Sequence, residues 1–155
     1  MTRRRDPIEF IELFGAVKRC FHTLAVEAYA AEEIGSTQAR FLRHIGRHTR
    51  ISQAELARAT ETDPALTGRA LESLRDRGWV LRSRSTEDRR EYVLELSAEG
   101  RRALKKVEEA RIKLAARAVE PLDERDMEDF ERVARKLLAA FGPGAGEGGP
   151  SSGKT

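Results

Sequence analysis

The chain has 155 residues, 39% of them hydrophobic and 35% charged, which suits one compact core wrapped in long solvated helix faces. A single cysteine, Cys20, excludes an intramolecular disulfide framework, and no apolar run approaches the roughly 18 residues of a membrane span or resembles a signal-peptide core, so a cytoplasmic protein is expected. The net charge of +3 is small, but residues 36–97 carry 12 basic and 9 acidic side chains and so hold a surplus equal to the whole. A local cationic surplus is what contact with phosphate requires.

The first helix is expected from Pro7. Ile11, Phe14, Val17, Phe21, Leu24 and Ala28 recur at spacings of three and four and form one apolar stripe, which Gly35 and Ser36 interrupt. A second helix follows from about Thr37 to Gly46, burying Phe41, Leu42 and Ile45. Ser52-Gln53-Ala54-Glu55 reads as a capping box opening a third helix anchored by Leu56. Asp63-Pro64 opens a fourth, with the carboxylate accepting from first-turn amides and proline at the first helical position. Leu66, Ala70, Leu71 and Leu74 are its expected core face, and Gly78 ends it.

Trp79-Val80-Leu81 and Tyr92-Val93-Leu94-Glu95-Leu96 read as two strands around the basic segment from Arg82 to Arg90. Ser97 then caps a long helix to about Val119 that carries Leu104, Val107 and Leu114. Pro121 breaks it. Asp123 caps a last helix with Met127, Phe130, Val133, Leu137, Leu138 and Phe141, and the Gly-, Pro- and Ser-rich segment beyond Gly142 reads as a disordered tail.

Two crossed helices followed by a basic hairpin make a winged helix-turn-helix, which can set one helix in the major groove of DNA and an arginine beside it in the minor groove. The expected fold is therefore mainly α with a small β-wing. Residues 1–35 form an N-terminal dimerisation helix, 36–97 the winged helix-turn-helix, 98–141 C-terminal dimerisation helices and 142–155 the tail. Both ends carry apolar stripes that a small winged helix does not need for its own core. They either fold back on the same domain or meet a second subunit, and a homodimer matches the two-fold of a palindromic site.

At this point the sequence resembles the MarR family of bacterial and archaeal transcription regulators. The resemblance rests on Gln38, the block from Ser52 through Leu56-Ala57, Asp63-Pro64, Leu74, Arg77-Gly78-Trp79-Val80, Asp88-Arg89-Arg90 and Leu94 to Gly100. It is close over Gly35–Gly100 and extends to the flanking helices by pattern only. It implies a homodimer with interleaved terminal helices that binds double-stranded DNA at a palindromic operator. It also implies repression of neighbouring genes, relieved by a small-molecule effector or an oxidant. At Ala65 and Gly68 the family more often has small hydroxyl residues that touch DNA, so more of the contact here falls to other residues.

Arg90 matches the family arginine that enters the minor groove, and Asp88 is placed to hold its guanidinium. The alternative is contact with phosphate or solvent alone. Arg84 and Arg89 are phosphate candidates. Thr67 and Arg69 are the groove-facing candidates of the fourth helix, Arg69 reading either guanine or backbone. Ser52, Gln53, Arg75 and Arg77 are candidate phosphate clamps; for Arg75 and Arg77 the alternative is a solvated face paired with Glu72 or Asp76.

An effector pocket for an aromatic or phenolic anion is expected from His22, Tyr29, Phe41 and His44, with Arg40 or Arg43 as countercharge; the same residues could equally be core. Cys20, flanked by Lys18, Arg19 and His22, is either structural or the thiol of a redox-sensing repressor, although it lies too near the second helix to match the family's sensing cysteine without a gap. His44 and His48 stand four apart but lack converging ligands, so no metal and no cofactor is expected. A glycine-rich phosphate loop, a ligand cluster and a nucleophile elbow are all missing, which argues against an enzyme. The remaining rival is a winged-helix module that meets protein, against which three wing arginines argue.

Overall fold

The computed structural model describes Asp6–Gly142. Residues 1–5 and the expected tail beyond Gly142 lie outside the described residues. The chain divides into two units, one ending at Ala118 and the other beginning at Val119. No helix among the described residues is long and apolar enough to cross a membrane.

The first unit holds α1 (Pro7–Ala30), α2 (Ser36–Gly46), β1 (Ile51–Ser52), α3 (Gln53–Ala59), α4 (Pro64–Asp76), β2 (Val80–Arg84), β3 (Tyr92–Leu96) and nearly all of α5 (Ala98–Val119). The fold is mainly α with a small antiparallel sheet of order β1-β3-β2. Its core is built on α2, where Phe41, Leu42 and Ile45 are fully enclosed, together with Leu56, Leu71, Leu74, Leu94 and Val107 from four other elements.

Each helix opens as its sequence dictates. Asp6 Oδ1 accepts from the Ile8 amide and Asp63 Oδ1 from the Leu66 amide, both just before a proline. The Ser52–Glu55 capping box is complete, with both reciprocal bonds formed at 2.9 and 3.1 Å.

The helix ends depart from expectation. α1 stops at Ala30 rather than running to Gly35. The amide of Ile34 donates to the Tyr29 carbonyl and that of Glu33 to Ala30, with Glu33 left-handed at φ 56°. This is the Schellman closure, and it buries Ile34 beside Tyr29. α3 closes in the same way through Glu61 at φ 49°, and α4 through Gly78 at φ 71°. Only the last uses the residue type that makes such a turn readable from sequence.

Two strand features also differ. β2 runs on to Arg84, because Arg82, Ser83 and Arg84 pair with Leu94, Val93 and Tyr92. The two-residue β1, which the sequence reading missed, pairs Ile51 with Leu94 and Ser52 with Val93. Leu66, expected in the core, is exposed at the edge of α4.

In α1 only the C-terminal part packs, through Leu24, Ala25, Ala28 and Tyr29, while Ile11, Phe14, Val17 and Phe21 of the stripe stay exposed. The Glu27–Arg117 ion pair joins this part of α1 to α5, and the Glu32–Lys106 pair joins the turn after α1 to it. In the second unit α6 (Glu124–Phe141) opens on Asp123, which accepts from the Asp126 amide. Met127, Phe130, Val133, Leu138 and Phe141 are exposed on it.

Two glycines test this account. A methyl at Gly78 would meet nothing within 4 Å, so Gly78→Ala should cost only the left-handed backbone strain, about 1 kcal/mol. A methyl at Gly100 would collide with the Trp79 carbonyl, so Gly100→Ala must move backbone and should cost about 1–3 kcal/mol or more. Urea unfolding of the two variants checks the order; equal losses would contradict it.

Candidate nucleic-acid interface

The α3–α4 pair is locked by hydroxyls rather than by apolar contact alone. Thr60 Oγ1 donates to the Leu56 carbonyl at 2.7 Å, and Thr62 Oγ1 donates to the Thr60 carbonyl at 3.1 Å while accepting from Arg40 Nη2. Both threonines are buried, and neither was singled out from the sequence. Their signal was the Thr-Glu-Thr-Asp turn itself, since hydroxyl side chains bond nearby backbone carbonyls at helix ends and turns.

This locking overturns one expectation. Thr67 does not face a groove. It is 1% exposed, and its Oγ1 is directed at the Asp63 and Thr62 carbonyls, 2.9 and 3.4 Å away. Thr67, Ala70, Leu71 and Leu74 form the buried stripe of α4, so the outward face carries Ala65, Arg69, Glu72 and Asp76. Glu72 and Asp76 make the C-terminal half of that face acidic. In the N-terminal half, Ala65, Gly68 and Arg69 leave one long cation on an otherwise bare surface.

Gln38 fastens α4 to α2. Its Oε1 accepts from the Gly35 amide at 3.0 Å and its Nε2 donates to Ser73 Oγ at 2.6 Å, so one side chain both caps α2 and docks α4. Ser52 is 7% exposed, and its Oγ accepts the Glu55 amide in the capping box. Gln53 is half-buried, with Oε1 enclosed and unpaired. Arg77 is held elsewhere: Nη2 donates to the Glu33 carbonyl at 2.6 Å, and the guanidinium lies 4.5 Å from the centroid of the Trp79 ring. It ties the end of α4 to the end of α1, and neither the phosphate role nor pairing with Asp76 describes it. Arg75 stays exposed.

The wing tip is a closed set of local bonds. Ser85 Oγ accepts from the Glu87 and Asp88 amides, the Ser85 amide donates to the Glu91 carbonyl, and the Glu91 amide donates to the Asp88 carbonyl. Asp88 acts differently from expectation. Its Oδ1 accepts the backbone amide of Arg90 at 2.9 Å, which sets the chain direction at Arg90 and does not hold its guanidinium. Arg89 and Arg90 are exposed at the tip. Arg84 Nη1 donates to the Arg89 carbonyl at 2.9 Å, so Arg84 braces the tip instead of standing free for phosphate.

Residues 34–92 match the family model of the MarR family. The chain carries a MarR-family winged helix-turn-helix domain. The uncharacterized HTH-type transcriptional regulator YwhA of Bacillus subtilis (strain 168) is 29% identical over 111 residues, covering 72% of this chain and 80% of its own. Among solved structures, a probable transcriptional regulator from Pseudomonas aeruginosa aligns with TM-score 0.73 at 26% identity, covering 87% of this chain and 99% of that one. A mutant of MarR from E. coli, complexed with operator DNA, aligns with TM-score 0.76 at 22% identity, covering 86% and 99%. At that identity the likeness is one of fold.

The expected effector residues do not form one wall within the chain. Phe41 is fully enclosed and Tyr29 nearly so, both as core. His22 is exposed on α1, as is Cys20. Arg40 holds Thr62. Arg43 faces Glu108 on α5, its Nε 3.3 Å from Oε1 without hydrogen-bond alignment. His44 is half-buried, and its pKa lies below the ordinary imidazole value because of burial and the positive charges of Arg47, Arg43, His48 and Arg40. His48 Nδ1 lies 2.8 Å from the His44 carbonyl.

Two predictions follow from the locked helix pair. Thr67→Val keeps the shape but removes the hydroxyl that donates to the Asp63 carbonyl, and should lower stability by about 1 kcal/mol in urea unfolding; an unchanged midpoint would contradict a structural role. The Glu55 carboxyl is held below its ordinary pKa of 4.5, first by the Ser52 amide and then by the Ser52 hydroxyl. Its contribution is therefore present above that value and lost as pH falls through the lower folded value. Glu55→Gln should flatten this part of the acid limb of the stability–pH curve, and a superimposable curve would count against it.

Proposed function

We propose that this chain is a homodimeric, sequence-specific double-stranded-DNA-binding repressor released by a small-molecule effector. The observation that carries the reading is the pairing, within one domain, of an α4 whose open N-terminal face bears Arg69 with a wing whose tip presents Arg89 and Arg90 on a hydrogen-bonded loop. An arginine at the start of a recognition helix suits a major-groove edge, and a wing arginine suits a narrow minor groove. The similar E. coli MarR structure holds operator DNA, which supports the same use of the fold here. Loss of hydroxyls at Ala65 and Gly68, together with the burial of Thr67, leaves Arg69 as the main direct reader and shifts discrimination towards the wing.

The exposed Ile11, Phe14, Val17 and Phe21 of α1 and Phe130, Leu138 and Phe141 of α6 support a second subunit, since apolar side chains in such number are rarely left in water. The cations around His44 support an anionic effector on the α2 side.

The test is selection of fragments from sheared genomic DNA by the purified protein, beside Arg90→Ala and Arg69→Ala. Wild type should enrich a two-fold symmetric site and lose affinity steeply as salt rises. Each variant should lose roughly 1–3 kcal/mol of binding while remaining dimeric. Absent or salt-independent binding by wild type would favour a protein partner for the wing. Phe14→Asp with Phe141→Asp should sediment as a monomer, and a persistent dimer would move the interface elsewhere.

A further inference from the structure

The lower half of the wing carries a cluster that the reading above does not use. The register pairs Arg84 with Tyr92 and Arg82 with Leu94, so Arg82, Arg84 and Tyr92 lie on one face of the hairpin, because alternate residues of a strand share a side. Deeper on that face Val80, Leu94 and Leu96 are buried. Towards the tip the face leaves the core, and Tyr92 remains half-buried with two cations against its ring. The guanidinium carbons of Arg82 and Arg84 lie 4.2 and 4.0 Å from the ring centroid. Two like charges so placed repel each other, and the negative face of an aromatic ring offsets part of that repulsion while fixing both planes.

We propose that Tyr92 is the positioning residue of the wing. Its ring holds Arg82 and Arg84 in place. Through Arg84 Nη1, which binds the Arg89 carbonyl, it also sets the direction in which Arg89 and Arg90 leave the tip. The wing thus meets a nucleic-acid backbone with its cations already ordered, and the loss of side-chain freedom on docking is partly met beforehand. The ring, and not the phenolic hydroxyl, does this. The proposal rests on the DNA-binding reading and adds to it two side chains, Arg82 and Tyr92, that the sequence motif does not assign.

The experiment compares full-length wild type, Tyr92→Phe and Tyr92→Leu in two ways. The arginine side-chain resonances of the free protein report the stack through the ring current. Affinity for a fragment enriched from genomic DNA, followed across salt, reports its use. Wild type and Tyr92→Phe should show displaced Arg82 and Arg84 resonances. Tyr92→Leu should lose that displacement, keep its cross-strand β2–β3 contacts, and bind on the order of tenfold more weakly with a shallower salt dependence.

Tyr92→Leu binding like wild type would overturn the proposal and leave the DNA reading standing. Tyr92→Phe as weak as Tyr92→Leu would overturn the role of the ring in favour of the hydroxyl. Weaker binding that comes only with loss of the β2–β3 pairing would reduce Tyr92 to a structural residue. Wild type that binds no fragment at low salt would overturn the DNA reading itself.

Discussion

The recognition helix, the wing and α5 all depend on the backbone of two residues, Gly78 and Trp79. Ser97, arriving from the far strand of the wing, donates its amide to the Trp79 carbonyl at 3.0 Å and its hydroxyl to the Gly78 carbonyl at 2.5 Å. The same hydroxyl accepts the Gly100 amide and so caps α5. Gly100 must lack a side chain for α5 to come this close. Arg77 stacks on Trp79 and reaches the Glu33 carbonyl, which adds the end of α1 to the same junction. Four elements are therefore held by carbonyls that a helix end would otherwise leave unsatisfied.

A junction of this kind has a consequence for the site. The base of the wing is closed at the point where α4 ends, so the hairpin cannot swing independently of the recognition helix at that end. Only the tip is free, and there order comes from short-range bonds: Ser85 to two amides, Asp88 to the Arg90 amide, Arg84 to the Arg89 carbonyl. These are exposed bonds that each contribute little to global stability, yet they set where two cations stand. The division suits a surface that must hold its charges in place without burying them.

The helix-turn-helix follows a different economy. Its turn is filled with hydroxyls that satisfy backbone carbonyls, and the Gln38 amide spans from the α2 amide terminus to Ser73. Such polar locks specify one arrangement of two short helices whose shared apolar area is small. Thr67 belongs to this lock, and that is why it is unavailable to a groove. Position along the recognition helix is decided by which residues the turn needs, and only what remains faces outward.

Much of this was legible in the chain. The caps at Asp63 and Ser52, the glycine stop at Gly78, the apolar stripes, the two wing strands and the arginine tip follow from residue type and spacing, because propensity, capping and alternation act over a few residues. The turns at Glu33 and Glu61 were not legible, since a glutamate carries no signal for a left-handed conformation that packing of Ile34 and Thr62 enforces. Thr67 shares the i, i+3, i+4, i+7 stripe of Ala70, Leu71 and Leu74, but a threonine carries no apolar signal, and only the Asp63 and Thr62 carbonyls beside it explain a buried hydroxyl there. The destinations of Arg77, Arg84 and Asp88 were hidden as well. A long or charged side chain has many partners within reach, and the choice among them is made by elements distant in sequence. Sequence alone therefore determined the elements and the domain they compose, whereas tertiary packing decided which of their side chains were left free to meet another molecule.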